Sequence, residues 1–174
     1  ATSSARSPCW MSSSSSAALL ALGAGSFDAI YCGMAFMDMV TIEPLVRAAR
    51  ALLKPQGRFV FSTMHPCFNS AMQRLGLEEE DAEGQLQATY YVKVTRYLTA
   101  FTQRGGGMPG EPNPHNYFHR PLHELLGSCF QAGFVLDGLK EPSFPQAAEP
   151  RAYISWANYT EIPPVLVARL RPMR

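Results

Sequence analysis

His65 is the first histidine in the chain, and imidazole can move a proton near neutral pH. It follows the apolar run RFVFSTM and precedes Pro66, Cys67 and Phe68. A histidine at the carboxyl end of a strand stands where open α/β sheets bind ligands. Imidazole there can take a proton from an acceptor hydroxyl or amine. The plainer alternative is a hydrogen bond to a neighbouring loop. His115, His119 and His123 recur every four residues. On one continuous helix they would share a face and suit zinc. Pro114 and Pro121 interrupt such a helix, and Glu124 is the only nearby acid, so no metal site is expected. His119 and Arg120 precede a helix and suit an anionic group of a substrate, or else they pack the helix start. Cys67 reads as a structural thiol, having only His65 as a basic neighbour.

A second stretch is unusual for its loop. FDAIYCGMAFMDMV, residues 27–40, begins as a buried strand and then stays apolar and sulfur-rich. Surface turns favour Gly, Pro, Asn and Asp, so Cys32, Gly33, Met34 and Ala35 read as a pocket wall. Asp38 would cap the next helix or orient a substrate. Tyr97 and Tyr117 form an aromatic cover over a substrate, or a strand's core face. Glu141 and Trp156 fall in late loops, where surface packing is the commoner role.

These residues need a sheet to hold them. The chain has 174 residues, 47% of them hydrophobic, and a net charge of +1. That suits one domain with a real core. Without a basic stripe, nucleic acid is not an expected partner. No apolar run reaches the ~18–20 residues that span a bilayer, so no membrane is expected either. Cys9, Cys32, Cys67 and Cys129 form no CxxC pair. With eight methionines, they suit a reducing cytoplasm. Residues 1–16, rich in Ser and Ala, read as a disordered or non-native segment, and residues 17–174 as the folded part.

Residues 17–22 predict a short helix packed before a strand at Phe27–Gly33. Thr41 is the expected cap of a helix whose face is Ile42, Leu45, Val46, Ala49, Leu52 and Leu53. Lys54–Gly57 stop it, and Arg58–Met64 is the next strand. The sequence of strand, helix and strand predicts a right-handed parallel crossover. Residues 69–84 read as helix or loop with a solvated acidic face, 87–102 as extended, and 104–114 as a long loop. A second helix starts near Arg120, buries Leu122, Leu125, Leu126, Cys129 and Phe130, and stops at Gly133. Phe134–Leu139 and Val165–Leu170 are the last strands. The fold class is α/β with a late antiparallel edge pair.

The phrases FDAIYCGMAFMDM, ARALLKPQGRFVFSTMHPCF, FQAGF and VLVARL, in this order, resemble class I S-adenosylmethionine-dependent methyltransferases of the type 11 group. LLKPQGRFVF is the most specific of them. The resemblance covers roughly residues 17–172. It implies a Rossmann-like sheet of which strands four to seven are present, so that this chain is the carboxyl-terminal half. It implies S-adenosyl-L-methionine as cofactor, touched by Cys32, Gly33, Met34 and Ala35. It also implies methyl transfer to a small-molecule acceptor, with His65 as base and Asp38, Tyr97, Tyr117, His119 and Arg120 around the substrate. The family's glycine-rich loop after strand one has no counterpart in Gly23-Ala24-Gly25, which precedes a strand, or in Gly105-Gly106-Gly107. A complete cofactor site is therefore not expected from this chain. The alternative reading is a non-catalytic module that pairs, for instance as a homodimer, through the open edge of strand four. A nicotinamide oxidoreductase is the last choice, for want of its glycine fingerprint.

Overall fold

The computed structural model describes residues 18–70, 72–106, 113–145 and 155–173. The segment expected to be disordered or non-native lies outside them. The elements are β1 (Phe27–Gly33), α1 (Glu43–Leu52), β2 (Leu53–Met64), β3 (Arg74–Ala82), β4 (Gln85–Lys93), β5 (Phe101–Gly105), β6 (His115–His119), α2 (Leu122–Gln131), β7 (Phe134–Lys140) and β8 (Val165–Pro172). Single 3₁₀ turns lie at Phe36–Asp38 and Trp156–Asn158.

The central sheet has the order β1-β2-β8-β7. β1 and β2 are parallel, and β8 runs antiparallel to both β2 and β7. Two successive strands with a ten-residue helix between them make the expected crossover. The two last strands form the expected antiparallel pair. These are the four strands that the resemblance identifies as the fourth to seventh of a methyltransferase sheet.

Alternation decides the core. Phe59 and Phe61 on β2 and Leu166, Ala168 and Leu170 on β8 are all fully buried on one face. Ile42 just before α1, Val46 and Ala49 from α1, and Leu125 and Cys129 from α2 cover that face. Phe36, from the loop after β1, packs 4.8 Å from Phe61, and Phe134 packs 5.6 Å from Phe59 (ring centroids). The loop is thus pinned to the core by an aromatic side chain, which a surface turn would not need.

Several local expectations change. Ala18–Leu20 form one helical turn, but Leu20 and Leu22 stay exposed, so that turn does not pack into the core. Helix α1 begins at Glu43 behind Ile42, with no side-chain cap, so Thr41 does not cap it. Pro44 and the acidic Glu43 in the first turn supply the start signal instead. Phe130 is exposed on α2, not buried. Residues 69–84 contain strand β3, which pairs with β4 in a long ribbon. Glu83 and Gly84, both at positive φ (55° and 81°), make the tight hairpin turn. Much of the ribbon is solvated on both faces, so β3 shows no period-two apolar pattern. Its base is held by Tyr159, whose hydroxyl donates to the Gly76 carbonyl at 3.0 Å. Among the described residues, no helix is long and apolar enough to cross a membrane.

Candidate active site

A small cleft of about 30 Å³ opens beyond the carboxyl end of β2. Its floor is Phe36 and Met37 together with Thr63 and Met64, and its far wall is Tyr117 to Arg120 at the end of β6. The β5–β6 pair therefore closes a site that the parallel strands begin.

Cys32, Gly33, Met34 and Ala35 lie at the end of β1 and in the turn that leaves it. Met34 adopts φ 47°, a left-handed conformation that L side chains rarely take. Its N–H donates to Ser62 twice, to the carbonyl at 2.9 Å and to Oγ at 3.2 Å. Ser62 in turn lies 3.1 Å from the Tyr31 hydroxyl. Burial pushes the Cys32 thiol up from 9.0 to about 11, and that of Cys129 to about 12. Both stay neutral thiols at neutral pH, and none of residues 32–35 is among the residues lining the cleft. Each thiol favours the folded state below pH 9, and that contribution is lost as pH rises through 9 toward the folded value. Cys32 and Cys129 should accordingly resist iodoacetamide at pH 7.5 and label about tenfold faster per pH unit above it. Peptide mass spectrometry of the labelled native chain checks this; rapid labelling at pH 7.5 would contradict it.

His65 is 1% exposed. Its Nδ1 lies 3.2 Å from the Cys67 backbone nitrogen, and its Nε2 lies 2.8 Å from Glu141 Oε1. A backbone N–H can only donate, so Nδ1 accepts and the proton sits on Nε2, donated to Glu141. Both ring nitrogens are engaged, and the ring does not line the cleft. A base needs an open lone pair, and His65 offers none in this arrangement. It ties the end of β2 to the residue after β7. Glu141, read from sequence as surface packing, is its partner across 76 residues.

His119 differs. It is 7% exposed and lines the cleft. Its Nε2 lies 2.7 Å from the Tyr97 carbonyl oxygen, which can only accept, so Nε2 carries the proton. The ring stacks on Phe101 at 5.0 Å. Among the described residues none hydrogen-bonds to Nδ1. The three spaced histidines do not share a helix: His115 and His119 are on β6 and His123 is on α2.

Tyr117 lines the cleft and donates its hydroxyl to the Gly106 carbonyl at 3.0 Å. Tyr97 does not line it; its hydroxyl accepts the Leu122 N–H at 2.9 Å. Pro121 has no side-chain acceptor for the start of α2, and Tyr97 supplies one from a distant loop. Asp38 is exposed on the 3₁₀ turn and does not cap α1. Arg120 lines the cleft, but its guanidinium is turned to backbone carbonyls. Burial lowers its pKa, against the raising influence of Glu43 and Glu124. Trp156 packs on Tyr159 at 5.6 Å and is outside the cleft lining.

Residues 6–61 match a family described as a methyltransferase domain. A crystal structure of an S-adenosylmethionine-dependent methyltransferase from Mesorhizobium loti superposes with a TM-score of 0.62 at 25% identity, covering 86% of this chain. This is the fold of an S-adenosylmethionine-dependent methyltransferase. A Listeria monocytogenes protein described in the same terms matches with a TM-score of 0.62 at 17% identity over 87% of the chain, which supports the methyltransferase fold alone. The chain spans 63% and 64% of the lengths of these two relatives. None of the curated proteins compared with the chain matches it. Within the methyltransferase fold, the cleft at the end of β2 lies where open α/β sheets place their ligands.

Proposed function

We propose that the chain contributes to S-adenosyl-L-methionine-dependent methyl transfer onto a small-molecule acceptor. The observation that carries this reading is the cleft at the carboxyl ends of parallel strands, floored by Phe36 and Met37 and flanked by an imidazole with an open nitrogen. The β1 end suits the cofactor in chemical type, with a neutral half-buried thiol and an apolar turn, although residues 32–35 lie outside the cleft lining and the Tyr31 ring packs beside Gly33. Cys32, Gly33, Met34 and Ala35 would hold its sulfonium side. The cofactor, when bound, supplies an electrophilic methyl group. His119 takes the acceptor's proton at Nδ1 while its Nε2–H stays on the Tyr97 carbonyl, which keeps the tautomer fixed. Phe101 holds the ring plane, and Tyr117 forms the adjoining wall. His65 positions the β2 end instead of moving a proton. The free thiols Cys32, Cys67 and Cys129 favour a cytoplasmic setting.

The test is a titration of the ¹⁵N-labelled chain with S-adenosylhomocysteine, followed by NMR. Saturable shifts at residues 32–35 and 62–64 are expected. A folded chain that shows none at millimolar ligand overturns the reading. A second reading, pairing through the sheet edge, is favoured by β1 having β2 as its one described neighbour and by the 70% exposure of Tyr31. Sedimentation at rising concentration tests it, with a constant monomer mass as the negative result.

A further inference from the structure

We infer that Arg120 is a positioning residue that couples the acceptor wall of the cleft to the cofactor-side loop. It follows β6 directly and precedes α2, so it is part of the wall that carries Tyr117 and His119. Its guanidinium reaches back to the loop after β1. Nη1 donates to the Phe36 carbonyl at 3.1 Å and to the Phe118 carbonyl at 3.5 Å. Nη2 donates to the Val40 carbonyl at 2.6 Å and to the Met39 carbonyl. Four of the five guanidinium N–H groups are thus given to main-chain oxygens. Little donor capacity is left for an anionic substrate, which is the role that its place before a helix suggested.

The loop needs such a partner. Between β1 and α1 it has one 3₁₀ turn, with Asp38 and Met39 N–H groups bonded to Ala35 and Phe36 carbonyls. Phe36 and Met39 are buried, and carbonyls withdrawn from water require donors. Arginine suits this because its planar fork reaches several acceptors at once, whereas lysine presents three donors from one point. Glu43, held by the Ser128 hydroxyl at 3.0 Å, offsets the half-buried charge. A ligand that moves the 32–35 turn therefore pulls on the β6 wall through one side chain, and the reverse holds equally. The identity of the two ligands rests on the methyl-transfer reading; the clamp does not.

Arg120→Lys and Arg120→Gln test it by hydrogen exchange without ligand. Both should raise exchange of the 34–40 amides by about tenfold or more while β7 and β8 amides keep their protection. Unchanged exchange at 34–40 overturns the clamp, as does equal loss in every segment, which would mean general destabilisation. Should Arg120→Gln fail to fold, Arg120→Lys, which keeps the charge, decides. Coupling is read by adding S-adenosylhomocysteine: wild-type shifts should extend from 32–35 to 117–119, and in Arg120→Lys they should stop at the turn. Shifts that still reach 117–119 in the variant overturn the coupling. No shift in the wild type at all would sink the cofactor reading, and the exchange result would then decide the clamp alone.

Discussion

Under the methyl-transfer reading proposed above, His119→Gln is expected to lower kcat/KM by about 10²–10⁴-fold, the range for losing a positioned general base. The substitution is mild structurally. Glutamine can still donate an N–H to the Tyr97 carbonyl, and it keeps similar bulk against Phe101. What it lacks is the open lone pair of Nδ1. The contrasting variant is His65→Gln. There the Cys67 N–H and Glu141 lose a buried partner, and stability should fall by about 1–3 kcal/mol. Transfer per folded molecule should be kept, because the ring does not line the cleft. The measurement is the initial rate with methyl-labelled S-adenosylmethionine across a panel of small nucleophiles, beside a urea denaturation curve for each variant. The opposite pattern, with His65→Gln inactive at full stability and His119→Gln active, would return the base to His65.

Phe59→Ala should cause the largest stability loss, about 3–5 kcal/mol. Phe59 is 0% exposed, and its ring lies 6.2 Å from Phe36, 6.0 Å from Phe61 and 5.6 Å from Phe134. Removing it opens a cavity bounded by β2, β7 and the loop after β1, three parts that cannot all collapse inward. Total stability of a domain this size is about 5–15 kcal/mol, so the variant should be close to unfolding at 37 °C. Phe59→Leu, which keeps most of the volume, should lose much less. Urea unfolding followed by circular dichroism gives both values. A loss below about 1.5 kcal/mol for Phe59→Ala would mean that helices and sheet do not pack through this aromatic cluster. The same deletion should disturb the cleft floor, because Phe36 belongs to both.

The sequence by itself determined β1, α1, α2, β7, β8 and the Arg58–Met64 part of β2, whose apolar periods are set by residues a few positions apart; Leu53 and Lys54–Gly57, read as helix face and helix stop, belong to β2. It also carried the resemblance, since LLKPQGRFVF and FQAGF are local turn and strand signals with a characteristic order. The ribbon strand β3 escaped, because a strand wetted on both faces leaves no alternation to read. The chemistry was only half legible. A histidine at a strand end pointed to His65, but the open lone pair is on His119. That difference is made by the Tyr97 carbonyl 22 residues away and by Glu141 76 residues away. Arg120 looked free to meet an anion until the fold brought Phe36, Met39 and Val40 carbonyls, 80 to 84 sequence positions distant, against its guanidinium. Residue types fix what a side chain can donate or accept; only tertiary structure decides which of those capacities is already used, because long-range packing chooses the partners.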